Sequence, residues 1–351
     1  MKIIVIKERN DFYKDDTDVY CEGFERAGHT IKKIEIKVIK GKIKNVTPMN
    51  TEELKSYDVI WSPYGRGIIM ANYLKSIIKK PVVGHCEWIP PWRVGADDIT
   101  KWGYTENDRK DFDKSTIDAF KAYYRQVLDS FLKCDVKTTI TDYTLKTIIK
   151  LLFDDIEEKP YIIDDKLLLS KVDKNIKTEN QILTIGRLEP HKRIHHIIEA
   201  LSKIDNAPLL KIIGYGTRYE NLLKLANKLN VKIKFMGKGQ DGYKAEEMQK
   251  SLFLVTPVAS LPVGEAALFK KATILYDVDN SIQKHGNLGH YVKTDDIEAL
   301  SKTIKNWIEH PEIPKQIGQI AYQTLMDGNT GIRTTEDSVN RMVDIFKKVV
   351  K

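Results

Sequence analysis

Residues 181–193 read Gln181-Ile-Leu-Thr-Ile185-Gly186-Arg187-Leu-Glu-Pro-His-Lys192-Arg193, and a run with helical spacing follows from Ile194 to Ile204. A short continuous apolar run closed by glycine reads as a buried parallel strand and its exit turn. The segment is therefore strand, tight turn and helix start. In open α/β sheets ligands gather outside the carboxyl ends of the strands, and helices that begin there offer unpaired N–H groups to anions. Gly186 permits the turn, Arg187 brings a planar five-donor fork, and Lys192 adds a compact positive charge near the helix start. Two cations so placed suit a diphosphate. The alternative is that both are ordinary solvated loop charges.

Working outward, the same alternation recurs. Strands are expected at Leu209–Ile213, Lys232–Met236, Leu252–Thr256 and Thr273–Tyr276, with helices at Arg218–Leu229, Tyr243–Lys250, from Pro262, at Ile297–His310 and from Thr335 onward. Upstream, strands at Ile3–Ile6, Ile31–Val38, Val59–Trp61, Pro81–Gly84 and from Thr138 alternate with helices near 18–29, 68–79, 116–132 and 143–153. Between about Asp154 and Asn180 the pattern loosens into a charged stretch containing D-D-I-E-E-K-P, and the domain boundary is placed there. The expected fold is α/β: two doubly wound Rossmann-like domains facing a cleft, 1–165 and 166–335. The last helix, 336–351, is a candidate to cross back to the first domain.

A second segment supports the first. The strand ending at Thr256 runs into Pro257-Val-Ala-Ser260-Leu-Pro262-Val-Gly264-Glu265-Ala, where Pro262 suits a first helical position and Glu265 falls in the first turn. A carboxylate there can accept from ribose hydroxyls; the plainer role is to complement the helix dipole.

Composition sets the frame. A chain of 351 residues that is 42% hydrophobic and 30% charged folds into about two domains and is neither disordered nor fibrous. The formal charge of +8 favours anionic partners without selecting one. Cys21, Cys86 and Cys134 are too far apart for a redox pair or a zinc cluster. No segment approaches the roughly 20 apolar residues of a membrane span, and the start lacks a signal-peptide core, so a cytoplasmic location is expected, with contact at a membrane surface left open. No Asp-x-Asp motif closes a strand, and the spacing of His191, His195 and His196 does not fit zinc. No metal site is expected.

Five ordered pieces of the second half resemble the nucleotide-sugar-binding domain of GT-B-fold glycosyltransferases, in particular retaining family four: I-L-T-I-G-R-L-E-P-H-K-R, L-L-K-I-I-G-Y-G-T, V-K-I-K-F-M-G-K, L-P-V-G-E-A and H-G-N-L-G-H-Y-V-K-T-D-D. The resemblance spans about residues 181 to 305. It implies a hexosyltransferase using a UDP- or GDP-sugar as donor substrate, with no cofactor and no metal. Arg187 and Lys192 would bind the diphosphate and stabilise the leaving nucleotide, and Glu265 would hold the ribose. Gly186, Gly214, Gly237, Lys238, Ser260 and Gly264 would line the donor. The acceptor it implies is a glycan, a lipid carrier or a protein.

One departure stands out. The family usually carries another Glu eight residues before the one matching Glu265; here that position is Pro257, and the sugar-binding loop shrinks to Val258-Ala259-Ser260. In the first half, Pro81-Val-Val-Gly-His85-Cys-Glu87-Trp resembles the strand whose His sits beside the transferred sugar, and by spacing His85 and Glu87 compete for that place. The segment Trp88-Ile-Pro-Pro-Trp92 reads as a loop with aromatics. Two other readings stand beside sugar transfer: a same-fold sugar-nucleotide epimerase, and a catalytically weak nucleotide or nucleic-acid binder. Nucleic acid is disfavoured, because no basic motif is interleaved with aromatics.

Overall fold

The computed structural model describes residues 1–8, 16–39, 42–45, 47–63, 65–86, 126–140, 156–239, 241–258, 261–278, 285–328 and 330–350. The chain divides into two compact units, one running to Ile162 and taking back the chain from Thr335, the other spanning Ile163–Thr334. The predicted helix at 143–153 and the residues Glu87, Trp88 and Trp92 lie outside the described residues.

The first unit is built on a sheet of seven strands: β1 (Lys2–Glu8), β2 (Thr30–Ile39), β3 (Lys42–Asn45), β4 (Val59–Ser62), β5 (Val82–Cys86), β6 (Val136–Ile140) and β7 (Ile156–Lys159). They lie in the order β3-β2-β1-β4-β5-β6-β7. All neighbours pair in parallel except β2 with β3. A two-residue strand, β8 (Tyr161–Ile162), follows β7 outside this sheet. Ile3 to Ile6 are completely buried, as a strand covered on both faces requires. Helix α1 (Asp16–Arg26) ends at Gly28, whose φ of +81° lets the His29 and Gly28 amides turn back to the Phe24 and Glu25 carbonyls. Short α2 (Thr51–Leu54), capped by the Asn50 side chain, and α3 (Gly65–Ile78) follow.

Four elements here escape the reading of the sequence, the short α2 and β8 among them. Strand β3 turns back as an antiparallel edge, and β7 forms in the charged stretch where the pattern loosens. Lys159, fully buried, pairs with Asp16 at 3.1 Å, and Glu157 accepts from Arg341 at 2.7 Å and also meets Lys348. Partners distant in sequence neutralise that strand, so no apolar run announces it.

The second unit carries β9 (Gln181–Ile185), β10 (Leu209–Ile213), β11 (Ile233–Phe235), β12 (Leu254–Val255), β13 (Thr273–Tyr276) and β14 (His290–Val292) in the order β11-β10-β9-β12-β13-β14. All ladders are parallel. The order reverses direction between β9 and β12, which makes their carboxyl ends the switch point where ligands bind in such sheets. Its helices are α4 (Asp165–Leu169), α5 (Ile194–Leu201), α6 (Tyr219–Lys228), α7 (Asp241–Lys250), α8 (Pro262–Leu268), α9 (Ile297–Glu309) and α10 (Glu312–Met326). Helix α10 also escapes the reading of the sequence, which places no element between His310 and Thr335. Pro311 and Pro314 read as breakers but occupy the helix start, where their missing N–H costs nothing. Gly318 lets α10 approach the backbone, since a Cβ there would lie 2.0 Å from the Lys270 carbonyl oxygen.

The final helix, α11 (Thr335–Lys347), packs in the first unit, where Phe346 joins Phe24 and Trp61 with ring centroids 5.6 and 6.1 Å away. Among the described residues no helix is long and apolar enough to cross a membrane.

Candidate active site

Register brings the glycines together. Ile185 pairs with Ile213 and Ile212 with Phe235, so Gly186, Gly214 and Gly237 leave three adjacent strands side by side. Backbone hydrogen bonds lace the loops: Gly186 donates to the Ile213 carbonyl at 3.0 Å, Gly214 to Gly237 at 2.8 Å, and Leu188 to Tyr215 at 2.9 Å. Gly214 is obligatory in this arrangement, because a Cβ on it would sit 1.8 Å from the Gly186 carbonyl oxygen. Glu189 clamps the neighbouring loop, accepting from the Thr217 amide at 3.2 Å and its hydroxyl at 2.8 Å.

On this shelf lie the two cations. Lys192 ends a short 3-10 turn (Pro190–Lys192), and its stem runs over Gly186, with Cδ 4.0 Å from where a Cβ would stand. Burial, reinforced by the Arg187 guanidinium, pushes the Lys192 ammonium down to about 8. Among the described residues neither Arg187 nor Lys192 makes a side-chain hydrogen bond or ion pair. Arg193, by contrast, is engaged at 2.9 Å by Asp295. His196 lies 2.9 Å from the Tyr276 hydroxyl, and burial pushes His195 beside it down to about 4. These histidines make no metal-binding group, and no such group is found among the described residues.

Across the switch point, Glu265 occupies the first turn of α8 and is only 7% exposed. Its Oε1 accepts from Lys244 Nζ at 2.6 Å, while buried Oε2 has no hydrogen-bond partner among the described residues. An unmet buried acceptor costs about 1–3 kcal/mol, which a ligand hydroxyl would recover. Lys244 is a site residue the sequence reading missed. Its one signal is a cation in the first turn of α7, where the helix dipole favours an acid. Its Cβ lies 3.9 Å from a Cβ built on Gly239, so it links the loop after β11 to α8.

The remaining predicted residues fall in different places. Lys238 is exposed, its ammonium 5.6 Å from the centroid of the Tyr215 ring. Gly264 is closely packed: a Cβ there would meet Ile332 Cγ2 at 2.5 Å, so packing is sufficient to account for this glycine. Ser260 lies outside the described residues.

His85 belongs to the first unit, fully buried on β5. Its Nδ1 is 2.9 Å from Thr138 Oγ1, and that hydroxyl donates to the Gly84 carbonyl at 3.1 Å. The single hydroxyl proton is thus committed, which assigns the imidazole proton to Nδ1. Burial holds the ring well below its usual pKa, hence neutral.

Residues 168–324 match the family of glycosyl transferases group 1. The O-antigen chain mannosyltransferase RfbU of Salmonella typhimurium (strain LT2) is 22% identical over 304 residues, covering 84% of this chain and 81% of that protein. Anabaena Alr3699/HepE, solved in complex with UDP-glucose, superposes with a TM-score of 0.70 at 12% identity, over 99% of this chain and 100% of that one. Sucrose-phosphate synthase from Thermosynechococcus elongatus gives 0.71 at 13% identity, over 99% and 98%. The chain is a glycosyltransferase of the GT-B fold, and its residues 168–324 are similar to the group 1 glycosyl transferases.

Proposed function

We propose that this glycosyltransferase takes its sugar from a UDP- or GDP-sugar and passes it to a glycan, lipid-carrier or protein acceptor, with retention of anomeric configuration. The observation that carries the reading is the pair Arg187 and Lys192: the Lys192 stem runs over Gly186, exposed Arg187 is near enough to lower its pKa, and neither has a counter-ion among the described residues. Two apposed cations, one of them partly desolvated, are costly in the free protein, and a diphosphate relieves that cost. Relief grows as the bond from the sugar carbon to the diphosphate oxygen breaks and the electron pair passes to the leaving nucleotide. The pair therefore favours the transition state over the bound donor. In this reading the cations neutralise the leaving group in place of a metal.

Glu265 Oε2 accepts from a ribose hydroxyl. The UDP-glucose complex of Anabaena Alr3699/HepE supports a nucleotide-sugar donor on this fold. Calorimetric titration with UDP and GDP, in the presence of a chelator, tests the proposal. Arg187→Ala and Lys192→Ala should each lose about 1.5–3 kcal/mol of binding, the size of a charge-assisted hydrogen bond. Unchanged affinity in both variants would remove them from the donor site.

A further inference from the structure

Backbone geometry singles out one junction in the second unit. Among the described residues, several side chains other than glycine sit on left-handed backbone. Lys79, Asn230 and Lys270 stand just past the ends of α3, α6 and α8, where such a residue is ordinary, and Asn206 is of a type that tolerates it. Arg193 and Asp295 stand instead at helix starts, with φ of +55° and +60°: Arg193 directly precedes α5, and Asp295 lies two residues before α9. These two pair with each other.

Arg193 is disfavoured twice where it stands. Left-handed backbone is costly for a side chain of its size, and a cation at a helix N-terminus faces the positive end of the dipole. Asp295, 102 positions on, offsets both: it accepts from Arg193 Nε at 2.9 Å and brings a carboxylate to the same helix start. The guanidinium also donates through Nη1 to the Pro190 carbonyl at 3.4 Å, and the Arg193 amide closes the 3-10 turn on that carbonyl at 3.0 Å. With its side chain only 13% exposed, Arg193 is better shielded than the members of an ordinary surface pair. Asp295 is itself braced on both sides. Thr294 donates its amide and hydroxyl to Asp277 at 2.6 and 2.7 Å, and Asp296 caps α9 through the Ala299 amide at 2.8 Å. His196 Nδ1 lies 3.7 Å from Asp295, but burial lowers its pKa from 6.5, so at neutral pH it brings no charge to compete.

The turn so fixed ends in Lys192. Relaxation of Arg193 to right-handed backbone would redirect the chain directly after that lysine and take its stem off Gly186. We propose that the Arg193–Asp295 pair is a latch that positions Lys192: Asp295 holds Arg193 in left-handed backbone, and Arg193 holds the preceding lysine over Gly186. The proposal rests on the donor-site reading for its bearing on nucleotide, though not for the geometry it requires at Lys192.

The test compares Arg193→Ala with Arg193→Gly in the full chain. Both remove the same charge and the same ion pair, but glycine takes left-handed backbone without steric cost. Lys192 is followed by trace acylation with acetic anhydride across pH, with its peptide quantified by mass spectrometry. In wild type the labelling should rise with a midpoint near pH 8; in Arg193→Ala and in Asp295→Gly the midpoint should climb toward the ordinary lysine value of 10.5. Arg193→Gly should bring it back toward the wild-type midpoint, and Asp295→Gly should add nothing in that background. UDP affinity near neutral pH should follow, at least about threefold weaker in Arg193→Ala and in Asp295→Gly and largely recovered in Arg193→Gly. That recovery also shows that the chain folds without the guanidinium. An unmoved midpoint in Arg193→Ala, or equal losses in the alanine and glycine variants, would overturn the latch. The labelling needs no nucleotide, so it decides the latch even where Lys192→Ala leaves UDP affinity unchanged, the separate result that removes Lys192 from the donor site.

Discussion

Lys192 sits in an environment unlike that of a solvated lysine. Burial and Arg187 lower its pKa from 10.5 to about 8. A lysine depressed in the folded state opposes folding while charged, so its cost is fully present below about pH 8 and is relieved as pH rises toward 10.5. The free protein should gain stability from this group across that window. On the proposed donor reading, diphosphate binding runs the other way, because it draws on the charged form. UDP affinity should fall up to about tenfold between roughly pH 7 and 9, and Lys192→Met should flatten that profile in calorimetry. Lys244 acts through Glu265. Removing it as Lys244→Met leaves a buried carboxylate with neither oxygen paired, whereas the lysine side chain itself is 15% exposed. Nucleotide affinity should weaken roughly tenfold, and Lys244→Arg should recover part of it, as followed by UDP titration. The places of Arg187, Lys192 and Glu265 just after strand ends are legible in the sequence, because each follows an apolar run that closes in a turn. Lys244 was not, since no local pattern says which acid a helix-start lysine will meet.

At the level of elements, the site depends on three strand exits kept in step. Equal register of β9, β10 and β11 sets Gly186, Gly214 and Gly237 in a row, and a side chain on Gly214 would strike the backbone of the neighbouring exit. Gly214→Ala should separate those loops, costing about 1–3 kcal/mol by overpacking and weakening UDP binding together with stability. Urea unfolding and titration on the same variant check the pairing. If stability fell while affinity held, the loops would not form the donor shelf. Gly264 shows the limit of reading glycines from motifs. It sits inside the motif-like Leu-Pro-x-x-Glu-Ala start, yet what it accommodates is Ile332. A missing side chain signals close approach, and only the coordinates say to what.

For the whole molecule, the return of α11 is the main organising event. It places Phe346 against Phe24 and Trp61 and supplies Arg341 and Lys348 to Glu157 on β7. A hydrophobic side chain with no exposure at such a junction contributes heavily, so Phe346→Ala should cost about 3–5 kcal/mol. The urea midpoint read through tryptophan emission should drop accordingly, while UDP affinity at the second unit should stay as in wild type.

By itself the chain determined the doubly wound architecture, because apolar runs, glycine exits and helical spacing are local records of which face each element buries. It also marked the residues after β9 and β12, since the switch point follows from strand order once the alternation is read. Only the tertiary structure decided that the charged 156–159 segment is a strand, that Lys244 braces Glu265, and that His85 carries its proton on Nδ1. Those outcomes depend on which distant charge or hydroxyl arrives to satisfy a buried polar group. The partners stand far apart in the chain, 184 positions for Glu157 and Arg341, and no local periodicity encodes their meeting.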